Sequence, residues 1–441
     1  MSRGRGESPW NDRRSSETHH EPFSPSELST CGLEPVNEEP EVSKHEIGWR
    51  YVVRNFTPAW FSANMGTGIV SILLNTLPYN GRWLYWISVV IFVLNILLFL
   101  VFLICSLLRY IVYPDIFSVM VRHPVQSLFL GTFPMGLATI INMICLVCVP
   151  AWGSWVAYVA WGLWIADAVI SVMTCFALPF IMWVKNESTL PSMGPAWLLP
   201  IVACVVAAAS GGIVASVLPN PQHALGTLLA SYVLWGVGVP LAMMIIGIYL
   251  MRLMLHKLPA RAIIVSTFLP LGPLGQGGFG IQKLGDVAQK VFPQTQTLRA
   301  GAGDVLHDVG VLLGLLLWGF GLLWLFFAVA SILYVRRFPF KLGWWAFTFP
   351  LGVFSTCTVQ LGRELPSRFY AVLGTILSLC VVLLWILVTC LTINGILDRT
   401  LFVASDLAAL QDKRRRMSRQ EETKLALHER KAAIPGQRHP E

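Results

Sequence analysis

Charge is what this chain has least of. Only 13% of its 441 residues are Asp, Glu, Lys or Arg, against 55% hydrophobic, and the mean hydropathy is +0.63. That balance excludes a soluble globular chain of this length. No charged residue falls between Arg82 and Arg109, or between Asp308 and Arg336. Histidine is missing where it would matter: all nine lie in the tails or near segment ends, so none is placed to ligate haem or a metal inside a bilayer. Eight of the nine cysteines fall in apolar segments, where they behave as small hydrophobes. Cys145 and Cys148 form a CxxC without a second pair, which gives neither a metal site nor a disulfide framework.

A phosphate loop is also lacking. The glycine-dense run from Pro270 to Gly280 has no strand before it and no Lys-Ser/Thr after it, as nucleotide binding would require. It reads as close helix approach or locally unwound backbone at a constriction, with Gln276 offered to a passing solute. The expectation is therefore no enzyme, no cofactor, no metal and no nucleic-acid partner.

What is present is membrane-spanning sequence. About 20 apolar residues cross a bilayer core, and ten stretches qualify, at roughly 57–77, 83–108, 124–149, 152–183, 195–218, 221–251, 260–281, 305–335, 344–362 and 367–397. Residues 1–50 are polar and read as a disordered cytoplasmic tail. Residues 401–441 read as a basic cytoplasmic tail, with Lys413 to Arg416 suited to anionic lipid and Ser418 as a candidate phosphorylation site whose plainer reading is a solvated tail. The ten-helix domain then spans 51–400. Short loops on the side of the termini carry more Lys and Arg than those opposite, so the positive-inside rule places both ends in the cytoplasm. Two glycosylation-like triplets, Asn55-Phe-Thr57 and Asn186-Glu-Ser188, fall on that inner side.

Five of the ten stretches contain a proline in an apolar setting: Pro58, Pro134, Pro200, Pro270 and Pro350, 66 to 80 residues apart. The even spacing points to one unit repeated. These odd-numbered stretches also collect small polar residues, such as Asn64, Thr67, Ser71, Thr139, Ser355 and Thr358, while the even ones are Leu, Val, Ile, Phe and Trp. Irregular backbone at membrane depth is tolerated where it is buried or lines a cavity, so the odd segments are expected inside, around a pore. A proline there either bends a helix or starts a half-helix whose N–H groups attract an anion, while the carbonyl it frees has the opposite sign, so the prolines alone do not set the choice of ion.

Few ionisable groups reach membrane depth. Asp167 is the one carboxylate well inside a predicted span; a proton-relay or gating role and a structural hydrogen bond are equally open. Asp304, His307 and Asp308 suit a helix N-terminus. Lys283 and Arg363 sit at matching segment ends, as a positive collar for anions or as snorkelling side chains.

The string NFTPAWFSANMGTGIVSILLNTLPYNG at 55–81, with GPLGQGGFGIQKLG at 272–285, resembles the tellurite-resistance and dicarboxylate transporter family. That family includes plant slow anion channels and fungal malate permeases, and the likeness is greatest to its fungal sulfite efflux branch. The resemblance covers residues 50–400. It implies an all-α membrane protein: ten transmembrane helices as five helical hairpins in a pseudo-five-fold ring around a central pore, assembled as a homotrimer. It implies a phenylalanine gate at the proline of the ninth helix, which matches Phe349. The substrate implied is sulfite, moved out across the plasma membrane and held near Thr132, Thr348 and Gly277, with a malate permease as the alternative.

Overall fold

The computed structural model describes residues 48–185 and 189–402, together with 404 and 407. Most of both expected tails, Ser418 and the triplet at 186–188 lie outside the described residues. Among those described the chain is helical and has no strand. The helices are α1 (Trp49–Asn55), α2 (Phe61–Thr76), α3 (Arg82–Val112), α4 (Pro114–Arg122), α5 (Thr132–Met143), α6 (Val149–Trp152) and α7 (Ser154–Lys185). They continue as α8 (Leu199–Val217), α9 (Pro221–His256), α10 (Leu271–Thr295), α11 (Ala302–Val335), α12 (Thr348–Glu364) and α13 (Arg368–Leu397).

Nine helical stretches among the described residues are long and apolar enough to cross a membrane. The stretch expected at 57–77 forms α2, with 16 residues. Two short helices were not expected from the sequence, α1 and α4. Arg109 of α3, which the charge count treats as a loop cation, is fully buried and donates from Nε to Arg54 O at 3.0 Å, tying α1 down at its C-terminal end.

Local chemistry explains several helix ends. Asn220 caps α9 through its side chain, which accepts from Gln222 N, and Pro221 occupies the first turn where no N–H is needed. In the third span the backbone widens into a π turn over Ile144–Cys148, just ahead of Pro150. A proline cannot donate to the carbonyl four residues back, and a π turn accommodates that loss.

Each proline-bearing segment repeats one local design. A 3-10 turn comes first, at Pro58–Trp60, Ser127–Gly131, Pro195–Leu198, Arg261–Phe268 and Leu342–Phe347. An α-helix follows. Pro58 opens its 3-10 turn, Pro270 immediately precedes α10, and Pro134, Pro200 and Pro350 lie in the first turn of α5, α8 and α12. The prolines thus do not bend a continuous α-helix. They stand where the tighter turn passes into α-helix, and there a missing N–H removes little.

Consecutive long helices pack as pairs: α2 with α3, α5 with α7, α8 with α9, α10 with α11 and α12 with α13. Contacts also run from α2 to α5, α5 to α8, α8 to α10, α10 to α12, and from α12 back to α2. In the stretches containing α5, α8, α10 and α12, 72–100% of the most apolar window is buried, against 28–33% in α3, α7, α9, α11 and α13. The latter turn Val90, Leu97, Leu316, Phe326 and Leu383 outward, which suits lipid contact.

The polar residues of the inner helices hold these pairs together. Asn64 donates to Asn95 of α3, which donates in turn to Thr139 of α5 at 3.1 Å. Ser71 reaches Ser88 O, Ser355 reaches Gly374 O, and the indoles of Trp318 and Trp385 donate to Thr358 and Thr67. Polar side chains that marked these segments as pore-like in sequence therefore mostly point sideways, to other helices.

Candidate functional site

Two cavities lie among the inner helices. One, of about 130 Å³, is walled by the C-terminal halves of α2, α5 and α8 together with α10 and α12. Its polar walls are Thr76, Thr139, Asn142, Ser216, Gln276, Lys283, Thr356, Gln360 and Arg363. The other, of about 650 Å³, is walled by the N-terminal ends of the same helices and the turns before them, including Met65, Phe129, Trp197, Ile263, Trp344 and Pro350. It is largely apolar, with Lys185 and Lys341 among its walls. Phe349 borders both cavities, and is itself only 3% exposed.

The word Thr-Phe-Pro occurs twice, and its two phenylalanines do different things. Phe133 packs against Phe61 at 5.1 Å and Phe99 at 5.5 Å. Phe349 instead lines both cavities.

The cations of the smaller cavity are both fastened. Lys283 pairs with Asp286 at 2.8 Å, and Asp286 also pairs with Lys290 at 2.8 Å. Arg363 donates to Thr76 O at 2.7 Å. Lys283 does not end its helix as expected, because α10 continues to Thr295; it stands in mid-helix and is a wall residue for that reason.

His307 contacts Glu364 at 3.0 Å, and Gln360 Nε2 donates to the same carboxylate. The acidic group at the start of α11 makes no side-chain cap. Asp304 instead accepts from Gln289 at 2.9 Å, and His307 is the residue that reaches α12. Neither His307 nor Gln360 was singled out for this role by sequence.

Three expected substrate contacts lie elsewhere. Thr132 is fully buried and donates to Phe129 O at 2.6 Å and Pro58 O at 3.1 Å; Thr348 is fully buried and donates to Trp345 O at 2.9 Å. Both hydroxyls serve carbonyls of the 3-10 turns, and neither residue lines either of these two cavities. Gly277 is buried in the seam against α9 and α11, its carbonyl accepting from Trp235 at 2.9 Å, with Val239 and Leu317 beside it. Of that glycine run, Gln276 alone among the predicted contacts reaches the cavity. The run is continuous helix rather than unwound backbone.

Its glycines do permit close approach. A Cβ at Gly275 would stand 2.5 Å from Phe354 N, and one at Gly278 would stand 2.7 Å from Cys357 Sγ.

Asp167 is fully buried in α7, and neither carboxylate oxygen has a hydrogen-bond partner. It borders neither cavity. On the facing helix the Cys204 thiol donates to Ser171 O, one turn beyond Asp167, at 3.4 Å.

Buried helices in mutual contact, enclosing two cavities that meet at one side chain, are the architecture of a membrane transport protein. A family model described as voltage-dependent anion channel (SLAC1) matches residues 55–393, and the chain belongs to that family. It is a multi-pass membrane protein. It is 51% identical over 375 residues to the sulfite efflux pump of Arthroderma benhamiae, covering 85% of this chain and 99% of that one. It is 30% identical over 351 residues to the sulfite efflux pump of Candida albicans, covering 74% and 71%. The malic acid transport protein of Schizosaccharomyces pombe is 26% identical over 350 residues, covering 78% and 79%.

Proposed function

We propose that this chain exports sulfite across the plasma membrane. The observation that carries the reading is the 51% identity to a sulfite efflux pump over nearly all of that pump's length. The path runs through the larger cavity, past Phe349, and through the smaller cavity to the mouth at Lys283 and Arg363. Ten spans form it, with α2 as the first, arranged as five hairpins in a ring around the axis. The transport domain covers 51–400, and both termini lie in the cytoplasm, so the larger cavity faces inward. The protein works as a homotrimer with one path per subunit, as a transporter and not an enzyme.

Phe349 is the gate, since any solute moving between the cavities must displace its ring. Lys283, Arg363 and Gln276 form the substrate path beyond it, and the five prolines fix where each inner helix starts. The two cations draw an anion to the mouth, and because each already has an oxygen partner they release it again. An inside-negative potential drives an anion outward by about 2.3 kcal/mol per charge per 100 mV, which suffices without a second coupled ion.

A malate permease is the second reading, favoured by the similarity to the malic acid transport protein of Schizosaccharomyces pombe. The test is sulfite flux from liposomes containing the purified protein, with malate as competitor. Sulfite release unaffected by malate supports the first reading; malate uptake with no sulfite movement overturns it. Crosslinking in native membrane reads the trimer directly.

A further inference from the structure

The smaller cavity contains an acceptor whose orientation is fixed. Gln360 lines the cavity and its Nε2 donates to Glu364 Oε1. An ionised carboxylate accepts and cannot donate, so the amide nitrogen is the end turned to Glu364. Glu364 is held in turn by His307 at 3.0 Å. The amide oxygen of Gln360 is the atom left for the cavity. Asn142, a second amide in the same wall, is 5% exposed, and its Oδ1 has no partner.

Such a wall discriminates between the two ionisation states of sulfite. The dianion has oxygens that only accept; hydrogensulfite carries one proton to donate and oxygens to accept from Lys283, Arg363 and Gln276. A site that holds an acceptor in place rejects solutes lacking the matching donor, because the acceptor is then left unpaired. Charge acts in the same direction. The cost of moving an ion out of water grows with the square of its charge, and the cations facing this cavity already have oxygen partners: Lys283 shares Asp286 with Lys290, and Arg363 donates to the Thr76 carbonyl.

We infer that the transported species is hydrogensulfite, and that Gln360, oriented by Glu364 and His307, is the residue that selects it, its amide oxygen accepting a hydrogen bond from the anion's O–H. The inference rests on the sulfite-export reading above.

The experiment uses the full chain in liposomes at fixed total sulfite, with external and internal pH set equal between 6 and 8. Nitrate, a monoanion with acceptors only, is run in parallel. The titratable and charged groups around Gln360 are Lys283 and Asp286 on α10, His307 on α11, and Arg363 and Glu364 on α12. Nitrate does not change charge over this range, so any contribution from their titration appears in its flux as well.

The expected result is that sulfite flux, divided by nitrate flux, falls with rising pH in proportion to the hydrogensulfite fraction. The Gln360→Met variant should lower hydrogensulfite flux several-fold relative to nitrate, and Gln360→Asn should recover part of it. A normalised flux that rises with pH overturns the inference and leaves sulfite export standing. A Gln360→Met variant with unchanged sulfite-to-nitrate ratio removes Gln360 from selection. Nitrate flux without sulfite flux at any pH defeats the export reading itself, and the inference with it.

Discussion

The guanidinium of Arg363 donates to the carbonyl oxygen of Thr76 at 2.7 Å, joining the last turn of α12 to the last turn of α2 across 287 residues of sequence. One bond therefore fastens the ends of two inner helices and holds a positive charge at the mouth of the smaller cavity.

Replacing Arg363 with Met should remove both. A charge attraction of about 1 kcal/mol at a half-solvated mouth corresponds to about fivefold in rate, so sulfite release from liposomes should fall by roughly that factor. The effect should shrink at high ionic strength, since added salt screens exposed charge. A variant with wild-type flux at low salt would remove Arg363 from the path.

Phe349→Ala should open the way between the cavities. Lowering a barrier by about 1.4 kcal/mol gives about tenfold in flux, to be read as anion current across a planar bilayer. The same substitution should cost less stability than a typical buried Phe→Ala, which runs to about 3–5 kcal/mol, because this ring already faces empty space on two sides. Unchanged current would show that the ring does not close the path.

Two glycines of the same run should differ in their response. At Gly275 an added methyl meets the backbone of Phe354 and Val353, which cannot turn aside, whereas at Gly272 it meets only Val202 Cγ1 at 3.9 Å. Gly275→Ala should push α10 from α12 and cost on the order of 3 kcal/mol, seen as lost yield and a lower Tm in detergent. Gly272→Ala should be neutral in both measurements.

Asp167→Asn should preserve sulfite flux to within about twofold and leave its pH profile unchanged, since the side chain borders neither cavity. The swap keeps the shape while removing an ionisable group from a wholly buried place, where an unpartnered charge is costly. Tm should therefore hold or rise. Loss of flux with an intact fold would make Asp167 a coupling residue.

Much of the architecture was legible in sequence because length and hydropathy carry it. Uncharged runs such as that between Arg82 and Arg109 mark α3 with no knowledge of its neighbours. The proline repeat correctly picked out the helices that pack inside. What the sequence could not show was which way a side chain turns. Thr132 and Thr348 looked like pore hydroxyls, yet each serves a carbonyl three residues back. A helix of small residues has neighbours on every side, and only the packed partner decides which face borders a cavity and which is seam. Ser71, Ser355 and Thr358 fell to the seam. Gln360 fell to the cavity, sharing Glu364 with a histidine 53 residues earlier in sequence that no spacing rule connects to it.

Two of the inner helices are short: α2 has 16 residues and α12 has 17, about 24–26 Å of α-helix, while α9 has 36. On the proposed path a cavity lies on each side of Phe349, and water entering both would carry the bulk electrical potential to the two faces of that ring. The voltage across the membrane would then fall over the thickness of one aromatic side chain, and an anion would cross the whole field in a single step.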